Sequence, residues 1–131
     1  MSEVSAESVL VAWLSSAFPD VRVVTETPAN LADVVPLIRV SRFGGVDEQI
    51  WTFDNPTMDF DCYDTGRIAA RDLAYQVRRS LRRDLPGQIV AGAFVLSCRT
   101  LSGPAWTPYD NTTSDLRRFT YSAELRLQEM P

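Results

Sequence analysis

The chain has 131 residues, 45% of them apolar, and a formal net charge of −4. That is enough for one domain, read here as residues 1–131, and too apolar for a chain disordered throughout. All 13 basic residues are arginine; without lysine or histidine, imidazole acid–base catalysis, histidine metal ligation and Schiff-base chemistry are excluded.

Residues 3–17 read as a helix. Ala6, Val9, Leu10, Trp13, Leu14 and Ala17 recur at helical spacing, with Ser2 or Ser5 as cap, Trp13 as a core anchor and Phe18-Pro19-Asp20 as the stop. Val21–Glu26 is a short strand, and Pro28–Asp33 a connection. Val34–Phe43 is the next strand, with Pro36 near its start or on an edge because proline donates no hydrogen bond. Its two faces are both mixed, so partial burial is expected on each. Gly44-Gly45 breaks it. Residues 44–56 form a long connection whose apolar centre, Ile50 to Phe53, suits a strand, a projecting hairpin arm or a subunit contact.

The chain then changes period. Met58, Phe60 and Cys62 alternate with Asp59, Asp61 and Tyr63, which marks a half-buried strand. Ala70, Leu73, Ala74, Val77 and Leu81 follow at steps of three and four, one face of a helix running from a Thr65 cap to the stop at Leu85-Pro86-Gly87. Gln88–Thr100 is a long strand in which Gly92 marks a bulge or a close backbone approach. Residues 101–116 form a second long loop carrying Trp106 and Tyr109. Arg117–Glu129 alternates most cleanly, as an antiparallel strand with one wet face does. The whole predicts an α+β domain: a mixed, mostly antiparallel sheet of about five strands, two helices packed on one side, in the order α-β-β-β-α-β-β.

No apolar run reaches the ~20 residues of a membrane span. The acidic start MSEVSAESV lacks the basic region of a secretory signal, so folding in a cytoplasm is expected. Cys62 and Cys98 have no CxxC spacing; buried thiols are expected, paired only if their strands are neighbours. No metal or cofactor is expected.

Two constellations stand out. Asp59, Asp61 and Asp64 are the enzyme candidate: Asp59 and Asp61 project from one strand face, as a pair holding Mg²⁺ would, and DFDCYDT superficially matches the Asp-x-Asp opening of haloacid-dehalogenase phosphatases. That motif belongs near the start of a larger Rossmann-like domain with a later lysine, which this chain lacks; the plainer reading is the solvated face of an amphipathic strand. At ~100° per residue, Arg67, Arg71, Arg78 and Arg82 form a stripe beside the apolar helix face, and Arg79 and Arg83 extend it. Such a stripe is a solvated face partly paired with Asp72 and Asp84, a phosphate holder, or a subunit contact. The negative net charge and the lone Tyr75 among the arginines favour the contact over nucleic acid. Gly44-Gly45 is no phosphate loop, and the serines have no histidine or lysine to activate them.

Five pieces, VAWLSSAFPDVRVVTETP, PLIRVSRFGG, MDFDCYDTGRIAARDLAYQVRRSL, SGPAWTPYDN and RRFTYSAELRLQ, cover nearly the whole chain. In that order they resemble the tail terminator proteins of long-tailed phages, especially those infecting actinobacteria. The resemblance implies a non-enzymatic virion protein forming a ring, usually a homohexamer, at the tail–neck junction. The ring sits on the last layer of the tail tube protein, stops its polymerisation, meets the head–tail connector protein and lets DNA pass through its lumen without specific binding. By region, subunit contacts map to Arg67, Arg71, Arg78, Arg79, Arg82 and Arg83. Tube or neck contacts map to the loops holding Trp51, Phe53, Trp106 and Tyr109. The alternatives are a connector ring protein, a small hydrolase using Asp59 and Asp61, and a dimeric ligand-binding domain.

Overall fold

A computed structural model of the protein describes residues 5–47, 52–108 and 116–130. Its elements are α1 (Ala6–Ala17), β1 (Arg22–Val24), a 3-10 turn (Leu31–Asp33), β2 (Leu37–Asp47) and β3 (Phe53–Thr65). Then come α2 (Arg67–Arg79), a π-turn (Ser80–Asp84), β4 (Ile89–Val90), β5 (Ala93–Trp106) and β6 (Leu116–Glu129). The strands form one sheet in the order β1-β2-β3-β6-β5-β4. Only the β1–β2 pair is parallel; the other pairs are antiparallel. The α+β architecture is the one expected, with a sixth strand added.

That strand arises because Gln88–Thr100 is not continuous. Ala91 and Gly92 both take positive φ, 49° and 86°. Two such residues make a tight hairpin loop, so Ile89 turns back to pair with Phe94.

The β3–β6 register sorts the sheet into two faces. Met58, Phe60 and Cys62 lie opposite Ala123, Tyr121 and Phe119, and all six are buried. Both helices pack on this face: Val9, Leu10 and Leu14 of α1 and Ala70, Leu73, Ala74 and Val77 of α2 join the same core. α1 touches β1 and β2 near one edge of the sheet and β4 at the other, so the sheet curls around it. On the opposite face a small second cluster, Leu31, Leu37, Tyr63 and Leu116, closes one end. This explains the mixed pattern of β2, where Leu37 and Ile38 are both buried, each in a different cluster.

Several boundaries differ from the sequence expectation. Ser5 caps α1 by accepting from the Ser8 N–H at 3.3 Å; Ser2 lies outside the described residues. Trp13 is half-buried at the core's margin, where its indole N–H donates to Ser80 Oγ at 3.0 Å and ties α1 to the π-turn. Thr65 does not cap α2: it ends β3, and Gly66 takes the capping position without a side-chain bond. Strand and helix meet there with no loop between, and Gly66 makes the corner at φ 87°, ψ 151°, a region essentially closed to other residues. The second helix is not uniform either. Its last turn widens, the Leu85 N–H reaching the Ser80 carbonyl at 3.1 Å. An i→i+5 turn rotates less per residue, so Leu81 and Leu85 both stay on the core face.

Among the described residues the two long loops prove to be mostly strand; 48–51 and 109–115 lie outside them. Gly44-Gly45 does not end β2 but sits at a bulge between Arg42 and Gly44, beyond which pairing with β3 continues to Asp47. Gly45 has φ 105°, and a Cβ there would lie 2.1 Å from the Asn55 carbonyl oxygen. Likewise β5 runs past Gly103 and Pro104 to Trp106 through three irregularities in its register with β6. The segment around Phe53 is thus the start of β3, the hairpin-arm alternative.

Cys62 on β3 and Cys98 on β5 are separated by β6 and both thiols are free. Burial drives the Cys62 thiol far above its ordinary value. Burial also pushes Cys98 up to about 11, partly offset by its hydrogen bond with Tyr121 and the charge of Arg82. Tyr121, whose hydroxyl pairs with Thr100 Oγ1 at 2.9 Å, is pushed by burial to about 12.

Two predictions follow from this packing. All three groups bind protons more tightly folded than unfolded, so their contribution is complete below pH 9 and is lost as pH rises through about 11 and 12. Urea unfolding at pH 8, 10 and 11 should therefore show falling stability, with neither thiol reacting with a thiol reagent at pH 8 until the chain unfolds; a flat profile with a fast-reacting native thiol refutes this. Gly45→Ala should cost about 2–4 kcal/mol, combining left-handed strain with a backbone clash. Gly103→Ala, with nothing within 4 Å of the added Cβ, should cost less than about 0.5 kcal/mol in the same denaturation assay.

Candidate functional site

The surface of greatest chemical interest is the outer face of α2 with the turn that follows it. Because Ala70, Leu73, Ala74 and Val77 occupy the inward stripe, helical geometry sends the intervening residues outward. Ile68 is 66% exposed and Tyr75 43%. Tyr75, Arg78, Arg79, Arg82 and Arg83 line a shallow groove of about 490 Å³. Arg78 lies over the Tyr75 ring, 4.8 Å from its centroid.

The predicted stripe is therefore brought together in its second half and divided in its first. Arg71 is held by its neighbour Asp72 at 3.2 Å. Arg67 leaves the stripe to stack on Trp106, 4.3 Å from the ring centroid. Arg83 reaches Asp84 only at 3.9 Å, with both side chains well exposed. Arg79 and Arg82 form no ion pair among the described residues. Exposed pairs of this kind contribute about 0–1 kcal/mol, so this charge does little for the fold.

Trp106, 44% exposed at the end of β5, is carried to the first turn of α2 by the β5–β6 pairing with Phe119. Phe53 is half-buried at the start of β3, where Arg126 covers its ring at 4.9 Å. Trp51 and Tyr109 lie outside the described residues.

Asp59 and Asp61 do project from one face, the face away from the helices, but each is occupied. Asp59 accepts from Ser122 Oγ at 2.5 Å. Asp61, only 7% exposed, accepts from Thr120 Oγ1 at 2.9 Å and pairs with Arg39 at 3.2 Å. All three partners sit directly opposite, Ser122 and Thr120 on β6 and Arg39 on β2. These are cross-strand pairs that let polar side chains be half-buried. Among the described residues no group of three or more Cys, Asp or Glu side chains is placed to hold a metal ion, and no helix is long and apolar enough to cross a membrane.

One feature has no signal in the sequence. Where α1 gives way to β1, a cleft of about 400 Å³ opens, lined by Pro19 to Arg22 and Asp33 to Pro36. Asp20 and Asp33, from separate connections, both line it, and only tertiary packing brings them to one cleft.

Comparison with curated proteins finds no match. Residues 2–129, nearly the full length, match the family described as phage tail termination protein, and the chain belongs to that family.

Proposed function

We propose that the protein is a structural component of the virion of a long-tailed, siphovirus-like phage, of the type that infects actinobacteria. It forms a homohexameric ring on the last layer of tail tube protein, ends tube polymerisation and offers its other face to the head–tail connector protein. The observation that carries this reading is the family match over residues 2–129. The outer face of α2 supports self-assembly: arginine and exposed aromatics are the residues enriched in protein–protein contacts. The role asks for no catalysis, and the engaged carboxylates of Asp59 and Asp61 are in keeping with that. A chain of net charge −4 suits a lumen through which DNA slides without specific binding.

A cap must bind the tube on one side and refuse a further copy of itself there, which needs two unlike ring faces. The hairpin arms, β2–β3 at Phe53 and β5–β6 at Trp106, are the proposed contacts to tube and neck, together with Trp51 and Tyr109.

Negative-stain imaging of the protein mixed with tube-forming tail protein tests the proposal. Tubes that stop growing and carry a ring at one end are expected. Tubes of uncontrolled length without caps, with the protein bound instead to the portal complex, would replace termination by the connector role.

A further inference from the structure

The groove on α2 and the cleft beside β1 are lined by groups of opposite charge. Arg78, Arg79 and Arg82 of the groove enter no ion pair among the described residues, nor do Asp20 and Asp33 of the cleft. Both carboxylate residues are exposed. Part of the cleft's floor is apolar, supplied by Val34, Val35 and Pro36, each half-buried. Arg22 is the one basic residue in its lining, so carboxylates outnumber guanidiniums there. Long arginine stems suit such a floor, because their methylenes bury on apolar surface while the head groups meet the acids.

Among the described residues no ion pair joins the two patches within one protomer, although Arg79 also lines a hollow with Ala17 and Phe18, which lead into the cleft. The patches belong to different elements: α2 covers β3, β6 and β5, whereas the cleft lies at the β1 edge of the sheet. We infer that the arginine groove of α2 docks into the Asp20–Asp33 cleft of a second copy of this chain, and that this contact, repeated head to tail, builds the ring. The inference rests on the ring reading above and supplies its contact. Two different patches on each subunit generate a heterologous interface, the kind that closes into a ring when the rotation per step allows. The chain's own acids answer its arginines, and no outside polyanion is required.

Charge reversal in both partners tests it. One variant carries Arg78→Glu and Arg82→Glu; the other carries Asp20→Arg and Asp33→Arg. Three of the four positions are plainly exposed, and none of the four side chains takes part in a described ion pair. Circular dichroism and thermal melting should match the parent. Each variant alone should lose tube capping, and its self-association in sedimentation should weaken by about a hundredfold, since like charges placed in contact cost several kcal/mol. An equal mixture should recover both, because each contact in an alternating ring again joins opposite charges. The chain carrying all four substitutions should recover likewise.

Capping by either variant alone overturns the inference, as does a mixture that stays inactive. If the α2 variant caps normally but loses salt-sensitive binding to duplex DNA, the groove is a nucleic-acid surface and the inference fails. If the parent never caps tubes yet self-associates in the pattern of loss and rescue described, the terminator role falls and the contact stands. A parent that neither caps nor self-associates removes both.

Discussion

The register of β3 against β6 is the constraint on which the rest depends. It places Phe60 opposite Tyr121, with ring centroids 5.8 Å apart, and Asp61 opposite Thr120 on the other face. Sliding one strand by a single residue would send Asp59 and Asp61 under the helices and Met58 and Phe60 into solvent. Each large apolar side chain so exposed forfeits about 1.5–3 kcal/mol, and each stranded carboxylate costs more. The pairing is fixed by both faces at once, and the helices have a continuous apolar floor only because it is fixed.

From that floor the outer surface follows. α2 must present Ala70, Leu73, Ala74 and Val77 downward, and its remaining positions are then free of any duty to the core. The chain fills most of them with arginine, tyrosine and isoleucine. The same helix thus covers the core on one side and offers a contact surface on the other. The π-turn prolongs this arrangement: by keeping Leu81 and Leu85 buried it holds Arg82 and Arg83 beside Tyr75 in a single groove.

Much of this is legible in the chain, for identifiable reasons. β6 and the core of β3 alternate strictly because one face is dry and the other wet, and the stripe of α2 repeats because the helix is amphipathic. What misleads is local punctuation that tertiary structure overrides. Gly44-Gly45 reads as a break, yet it is a bulge that lets β3's backbone approach closely. Gly103-Pro104 reads as a loop, yet β5 tolerates both, since β4 pairs only with Ala93 and Phe94 and no described strand beyond asks for proline's missing donor. Thr65 looks like a cap because the residue type suits one; the corner itself needs the backbone of Gly66. On the surface, the arginine stripe follows from periodicity alone. The stacking of Arg67 on Trp106 and the meeting of Asp20 with Asp33 are long-range events without a local pattern.

The stack of Arg67 on Trp106 joins the far end of β5 to the first turn of α2. The β5–β6 hairpin and the helix are thereby linked outside the core as well as through it. A displacement of Trp106 is therefore resisted from two directions, by the strand beside it and by the helix across from it, so the end of β5 and the start of α2 are braced as one corner.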